Sequence, residues 1–136
     1  MLLIRKLIKN RCGQALVELA LTLPLIIMLV MGTIEFGRMF HSYLVITNAS
    51  REGARVAITG VDNTIINNRI DVATSSLDNT KVIVISPDDK NLRLSTVPVT
   101  VTINYNHTII TPFVDKLVPN PIHLSSSTSM RMEGKK

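Results

Sequence analysis

The spacing of apolar and polar residues changes character along the chain, and each change marks an element. From Leu19 to Ile34, LALTLPLIIMLVMGTI carries no charge over 16 positions, and counting back to Gln14 gives 21 with Glu18 as the only charged member. At ~1.5 Å of rise per residue, a helix of that length reaches about 32 Å, close to the roughly 30 Å hydrocarbon core of a bilayer. Past this run, Phe36, Phe40, Tyr43, Ile46, Ala49 or Ser50, then Gly53, Ala54 and Ala57 recur at steps of three or four, with Arg38, Arg51, Glu52 and Arg55 largely beside the stripe. The pattern predicts one helix over 14–58, membrane-spanning to about residue 36. Pro24 removes a backbone donor inside it and is expected to bend it, a defect that neighbouring helices accommodate in a membrane.

A second, shorter helix is predicted from Thr64 to Leu77, because Ile66, Ile70, Ala73 and Leu77 share a face after Asp62 or Asn63 as a cap. SSLDNTK then reads as a turn. From Lys81 the period becomes two. KVIVIS is a β-branched strand bounded by the turn-like PDDKN, and STVPVTVTINYN places Val97, Val99, Val101, Ile103 and Tyr105 on one face. Pro98 cannot donate to a ladder, which points to an edge position near that strand's start. After a loop with Pro112, Pro119 and Pro121, IHLSSSTSMRM alternates again. The predicted class is α+β: a long N-terminal helix whose outer half is covered by residues 59–136, with a second short helix and a small antiparallel sheet.

Charge sharpens this picture. The 136 residues are of one-domain size, and the net charge is +5. Arg5, Lys6, Lys9 and Arg11 supply four of those charges before Gly13, so the basic character belongs to the N-terminus and calls for no nucleic acid. By the positive-inside rule these residues keep the N-terminus cytoplasmic and export everything after about residue 38, where Glu35 and Arg38 balance. A cleavable secretory signal shares the layout, but GTIEFGRMFHSYL offers no A-x-A-like site. Cys12 is the single cysteine and precedes the apolar run, which excludes an intramolecular disulfide and fits a lipidated cysteine poorly.

Glu18 is the anomaly. A charged acid in the middle of a span costs roughly 2.5–3.5 kcal/mol on insertion scales and less near an interface. It is either an idle carboxylate at headgroup level or one awaiting a cation.

GQALVELALTLPLI resembles the processing and assembly motif of type IVb pilins and pseudopilins, in which a prepilin peptidase cuts after a glycine and a glutamate stands fifth in the mature chain. Together with GTIEFGRMF and NASREGARVA, in this order over residues 13–57, it is similar to the TadE-like minor pseudopilins of tight-adherence (Flp) pilus systems. The resemblance implies a basic leader over 1–13, cutting between Gly13 and Gln14, and a Glu18 that neutralises the new α-amino group during assembly. It implies as partners the prepilin peptidase, other pilin and pseudopilin subunits, the assembly platform in the bacterial inner membrane, and the lipid bilayer. The chain departs from the family pattern in Leu19, where a tyrosine or phenylalanine is usual, and in a first mature residue Gln14. Major Flp pilins lack a large globular part, so a minor subunit fits better.

Catalysis finds little support. His41, His107 and His123 are scattered, and no nucleophile elbow or phosphate loop is present. No cofactor is expected. Asp88 with Asp89 most simply caps a turn, with calcium binding the less favoured reading for want of further oxygen ligands. NAS and NHT match a glycosylation pattern that chance often supplies. In REGAR, packing of Ala49, Gly53 and Ala57 against a sheet competes with partner recognition by the arginines, and Glu52 is within reach of Arg55. The alternative from another class is a signal-anchored binding or adhesion domain whose sheet recognises an extracellular ligand.

Overall fold

A computed structural model describes residues 11–78, 80–93, 97–112, 114 and 118–132; the basic residues before Arg11 lie outside it. Helix α1 runs Arg11–Ala57 without interruption through Pro24. Along it, Thr22, Thr33 and Thr47 return their hydroxyls to carbonyls one turn back, at 3.0, 2.8 and 2.7 Å, so these polar side chains are satisfied within the helix. It ends where Gly60 adopts φ 76°, a conformation only glycine takes cheaply, and its N–H bonds the carbonyl of Ala57 at 3.2 Å.

Helix α2 occupies Asn63–Ala73. Asp62 stands at its N-cap through its carbonyl, which accepts from Ile65 and Ile66, and its side chain makes no capping bond. The helix stops short of the predicted Leu77 at Thr74, whose φ of −105° and ψ of 17° leave the helical range. Leu77 still packs on the core, which is why its spacing looked helical.

Strands β1 (Lys81–Ser86), β2 (Pro98–His107) and β3 (Ile122–Arg131) form an antiparallel sheet in sequence order. A single 3-10 turn lies between β1 and β2 at Lys90–Leu92. The strand that contains Pro98 is therefore central, not an edge. Proline is tolerated there because the β1 ladder ends at Ser86 opposite Thr100, leaving Pro98 beyond it.

The inner face of β2 alternates as its sequence demands: Val99, Val101, Ile103 and Tyr105 are buried. They meet Ile46, Ala49, Ala54 and Ala57 of α1 and Ile66 and Ile70 of α2. Burying an Ile or Val side chain is worth roughly 1.5–3 kcal/mol, so this layer carries most of the stability of the domain. Gly53 makes the close approach feasible. A Cβ there would lie 2.7 Å from Cδ1 of Ile70 and 3.3 Å from Cγ1 of Val101. Ser50 adds a polar contact to the same face, 3.2 Å from the hydroxyl of Ser126 and 2.9 Å from that of Thr128.

Two expectations about α1 need correction. The buried stripe leading back from Ile46 passes through Ser42 and Glu35, while Phe36, Phe40 and Tyr43 are exposed. A helical step of three and one of four both keep an approximate face, so Tyr43 and Ser42 were equally good continuations by spacing. Glu52 pairs with Arg69 of α2 at 2.8 Å instead of Arg55, because α2 lies against this part of α1.

Candidate functional site

Two sites lie along α1. Near its start, Gly13 is partly exposed and Gln14 and Glu18 are exposed, all within continuous helix. Glu18 has no ion-pair partner among the described residues; its carbonyl accepts from Thr22. Gln14 and Glu18 stand at i and i+4, one turn apart on one helix face. A new amino group at residue 14 would sit about 6 Å along the axis from Glu18. It would also place Glu18 near a helix N-terminus, where a carboxylate is favoured. Leu16, Val17, Leu19, Leu21 and Leu23 around it are all exposed, so this stretch of helix is apolar and open among the described residues. The part of α1 from Gly13 onward is long and apolar enough to cross a membrane.

The second site was not anticipated. At the end of the apolar run, Glu35 is buried to 5% exposure and gathers three groups. Arg38 reaches it at 2.9 and 3.2 Å, His107 Nε2 lies 3.1 Å from Oε1, and the Thr111 hydroxyl donates to Oε2. A carboxylate only accepts, so Nε2 carries the hydrogen. On the other side of the imidazole, Nδ1 is 3.3 Å from the hydroxyl of Ser42, itself 3.1 Å from the carbonyl of Arg38. The cluster ties three parts of the chain together: the helix where it leaves the apolar run, the end of β2, and the loop that follows. A buried carboxylate costs free energy unless it is paired and hydrogen-bonded, and here it is both.

Signals for this cluster existed in the sequence. Glu35 is the first charge after the apolar run, and His107 continues the inward series of Val99, Val101, Ile103 and Tyr105. An inward histidine needs a partner. A cleft of about 460 Å³ opens beside it, between Gly37, Arg38 and His41 on one side and Ser76 and Asp78 on the other.

His41 is exposed and His123 sits on the outer face of β3, so the three histidines do not converge. No group of metal-binding side chains occurs among the described residues. Beside Asp88 and Asp89 a cation is already in place: Arg93, 4% exposed, donates to the carbonyls of Pro87, Val61 and Asp88 and to the side chain of Asn63. Asp89 accepts from the backbone of Asn91 at 2.8 Å, the turn-capping role expected for it.

Comparison with known proteins bears on the first site. No curated protein and no solved structure matches the chain. One family model does, that of the TadE-like proteins, over residues 13–55. The match opens on Gly13, takes in the whole apolar run and the Glu35 and Arg38 pair, and stops at Arg55, before α2 and the sheet. Over about a third of its length the chain is thus similar to the TadE-like proteins.

Proposed function

We propose that the chain is a minor pseudopilin of a tight-adherence, type IVb pilus, held by a single span in the bacterial inner membrane and cut between Gly13 and Gln14 by prepilin peptidase. Its N-terminus faces the cytoplasm, and the α+β unit after residue 58 is exported. It acts by assembly, in initiating, capping or joining the pilus, and not by catalysis.

The observation that carries this reading is the placement of Glu18. It stands one helical turn from Gln14, exposed, at the inner end of an apolar helix whose large side chains are exposed, within a segment that is similar to the TadE-like proteins. Cutting would create the cation that such a carboxylate lacks. The α-amino group of residue 14, on the same chain or on the neighbouring subunit, would then remove most of a burial cost of roughly 2.5–3.5 kcal/mol.

Counting surface pili in a strain that carries Glu18→Ala tests the proposal. The variant chain should still be extracted from the membrane fraction in normal amount, while piliation falls steeply. Normal piliation with Glu18→Ala would remove the assembly role. Gly13→Leu should act earlier, leaving an uncut chain in the membrane.

A further inference from the structure

The cleft beside the Glu35 cluster has a rim whose two sides carry opposite charges. Its α1 wall bears Arg38 and His41, the facing wall is the turn after α2 with Ser76 and Asp78, and His107 at the end of β2 lies behind them. Neither charge is spent inside the protein. Arg38 gives Glu35 only its Nη1, at 2.9 and 3.2 Å, so its Nε and Nη2 have no protein partner among the described residues. Asp78 and His41 are exposed and make no hydrogen bond or ion pair among the same residues. Arg38 and Asp78 thus line one cleft without bonding each other. A solvated surface charge needs no cavity, whereas these two share one of about 460 Å³, within the roughly 300–1,000 Å³ of small-molecule sites.

A gap between opposite charges suits a ligand that carries both in reverse order. An arginine fork holds a phosphate through paired N–H bonds, and a carboxylate, which only accepts, calls for a donor cation. A primary ammonium brings three donors, for which Asp78 and the Ser76 hydroxyl are acceptors. A quaternary ammonium brings none and is recognised by aromatic cages. Of Phe, Tyr and Trp, the cleft is lined by Tyr105 alone, which is 5% exposed.

The height of the cleft on α1 identifies the source of such a ligand. Ile34, the last residue of the apolar run, is exposed and lines the cleft. Arg38 stands four residues further, ~6 Å along the helix. The headgroup layer of a bilayer is roughly 5–7 Å thick on each side, so Arg38 stands at headgroup level when the run spans the membrane.

We propose that this cleft binds the phosphoethanolamine headgroup of a phospholipid, with the phosphate on Arg38 and His41, the ammonium on Asp78 and Ser76, and the acyl chains along exposed α1 below Ile34. The proposal rests on the single-pass reading above. One lipid held by α1 and by the turn after α2 at once sets the height of the α+β unit over the bilayer.

Native mass spectrometry of the full chain, released from nanodiscs that hold equal amounts of ethanolamine, choline and glycerol phospholipids with the same acyl chains, tests it. The chain should retain one ethanolamine lipid over either other lipid by about tenfold or more, the fold-change of one charge-assisted hydrogen bond. Asp78→Asn should bring ethanolamine retention down to that of choline, and His41→Gln should lower retention of all three. Both positions are exposed and unbonded among the described residues, so these substitutions spare the fold. Equal retention of ethanolamine and choline lipids by the parent chain would overturn the ammonium site. A preference for the glycerol lipid would reduce the cleft to a basic patch, and unchanged selectivity in Asp78→Asn would put the lipid elsewhere; either overturns the proposal. Displacement of the lipid by an equal concentration of free phosphoethanolamine would make a soluble phosphate ester the ligand and overturn the lipid assignment. A chain recovered in the aqueous phase without discs or detergent would instead overturn the single-pass reading, which the lipid preferences do not test.

Discussion

Within α1, Leu16 to Val30 leave large apolar side chains exposed, whereas Ile46, Ala49, Ala54 and Ala57 are fully buried. Both stretches are apolar, so hydrophobicity does not separate them. Size does. The inner stretch is built from Leu, Ile, Met and Val, which present a bulky apolar cylinder. The outer stretch carries Ala, Ser and Gly on one face, which lets α2 and β2 come within van der Waals contact of the helix. The same helix can therefore serve as a lipid-facing rod and as one layer of a core, with Glu35 and His107 at the boundary.

Glycines on either side of that boundary give the strongest way to break the comparison. Gly53→Leu drives a side chain into Ile70 and Val101, and should destabilise the α+β domain by about 3 kcal/mol, the upper range for overpacking. Gly32 has open space around it, so Gly32→Ala should raise helix stability by up to about 1 kcal/mol. Chemical unfolding of the full chain in micelles, followed by circular dichroism, reads both. Equal responses at the two positions would abolish the distinction between the halves.

A smaller effect probes the boundary. His107→Ala removes one hydrogen bond to the buried Glu35 carboxylate and should cost about 2 kcal/mol, within the range for bonds to charged groups. Protease cleavage in the loop 109–120 should rise along with it, because His107 and Thr111 hold the same carboxylate. A variant as stable and as resistant as the parent would make the cluster incidental. The smallest effect belongs to Glu52→Gln. Its ion pair with Arg69 is partly solvated, with the side chains 33% and 54% exposed, and its loss should cost less than about 1 kcal/mol in the same unfolding measurement.

How far the sequence revealed this architecture follows from the range of the interactions involved. The apolar run, the inward face of β2 and the alternation of β3 are set by local period, and all three appear where the pattern put them. The small face at Ala49, Gly53 and Ala57 was legible as packing, though its partner at Gly53 is Ile70 of α2 as much as the sheet. Glu35 and His107 are 72 residues apart, and no local pattern joins them. Arg93 was equally hidden, since it is held by Asn63 and by carbonyls that any sequence supplies. Gly13, Gln14 and Glu18 stood out in the sequence because their chemistry depends on spacing alone. The fold places them on one exposed helix and, among the described residues, adds no further group to them.

The central claim concerns an event at that exposed end, and intact-mass analysis of the membrane-extracted chain tests it most directly. In cells with an active prepilin peptidase the account predicts a mature chain beginning at Gln14, and in cells without the peptidase a chain that keeps residues 1–13. A chain still beginning at Met1 in the presence of active peptidase would contradict it.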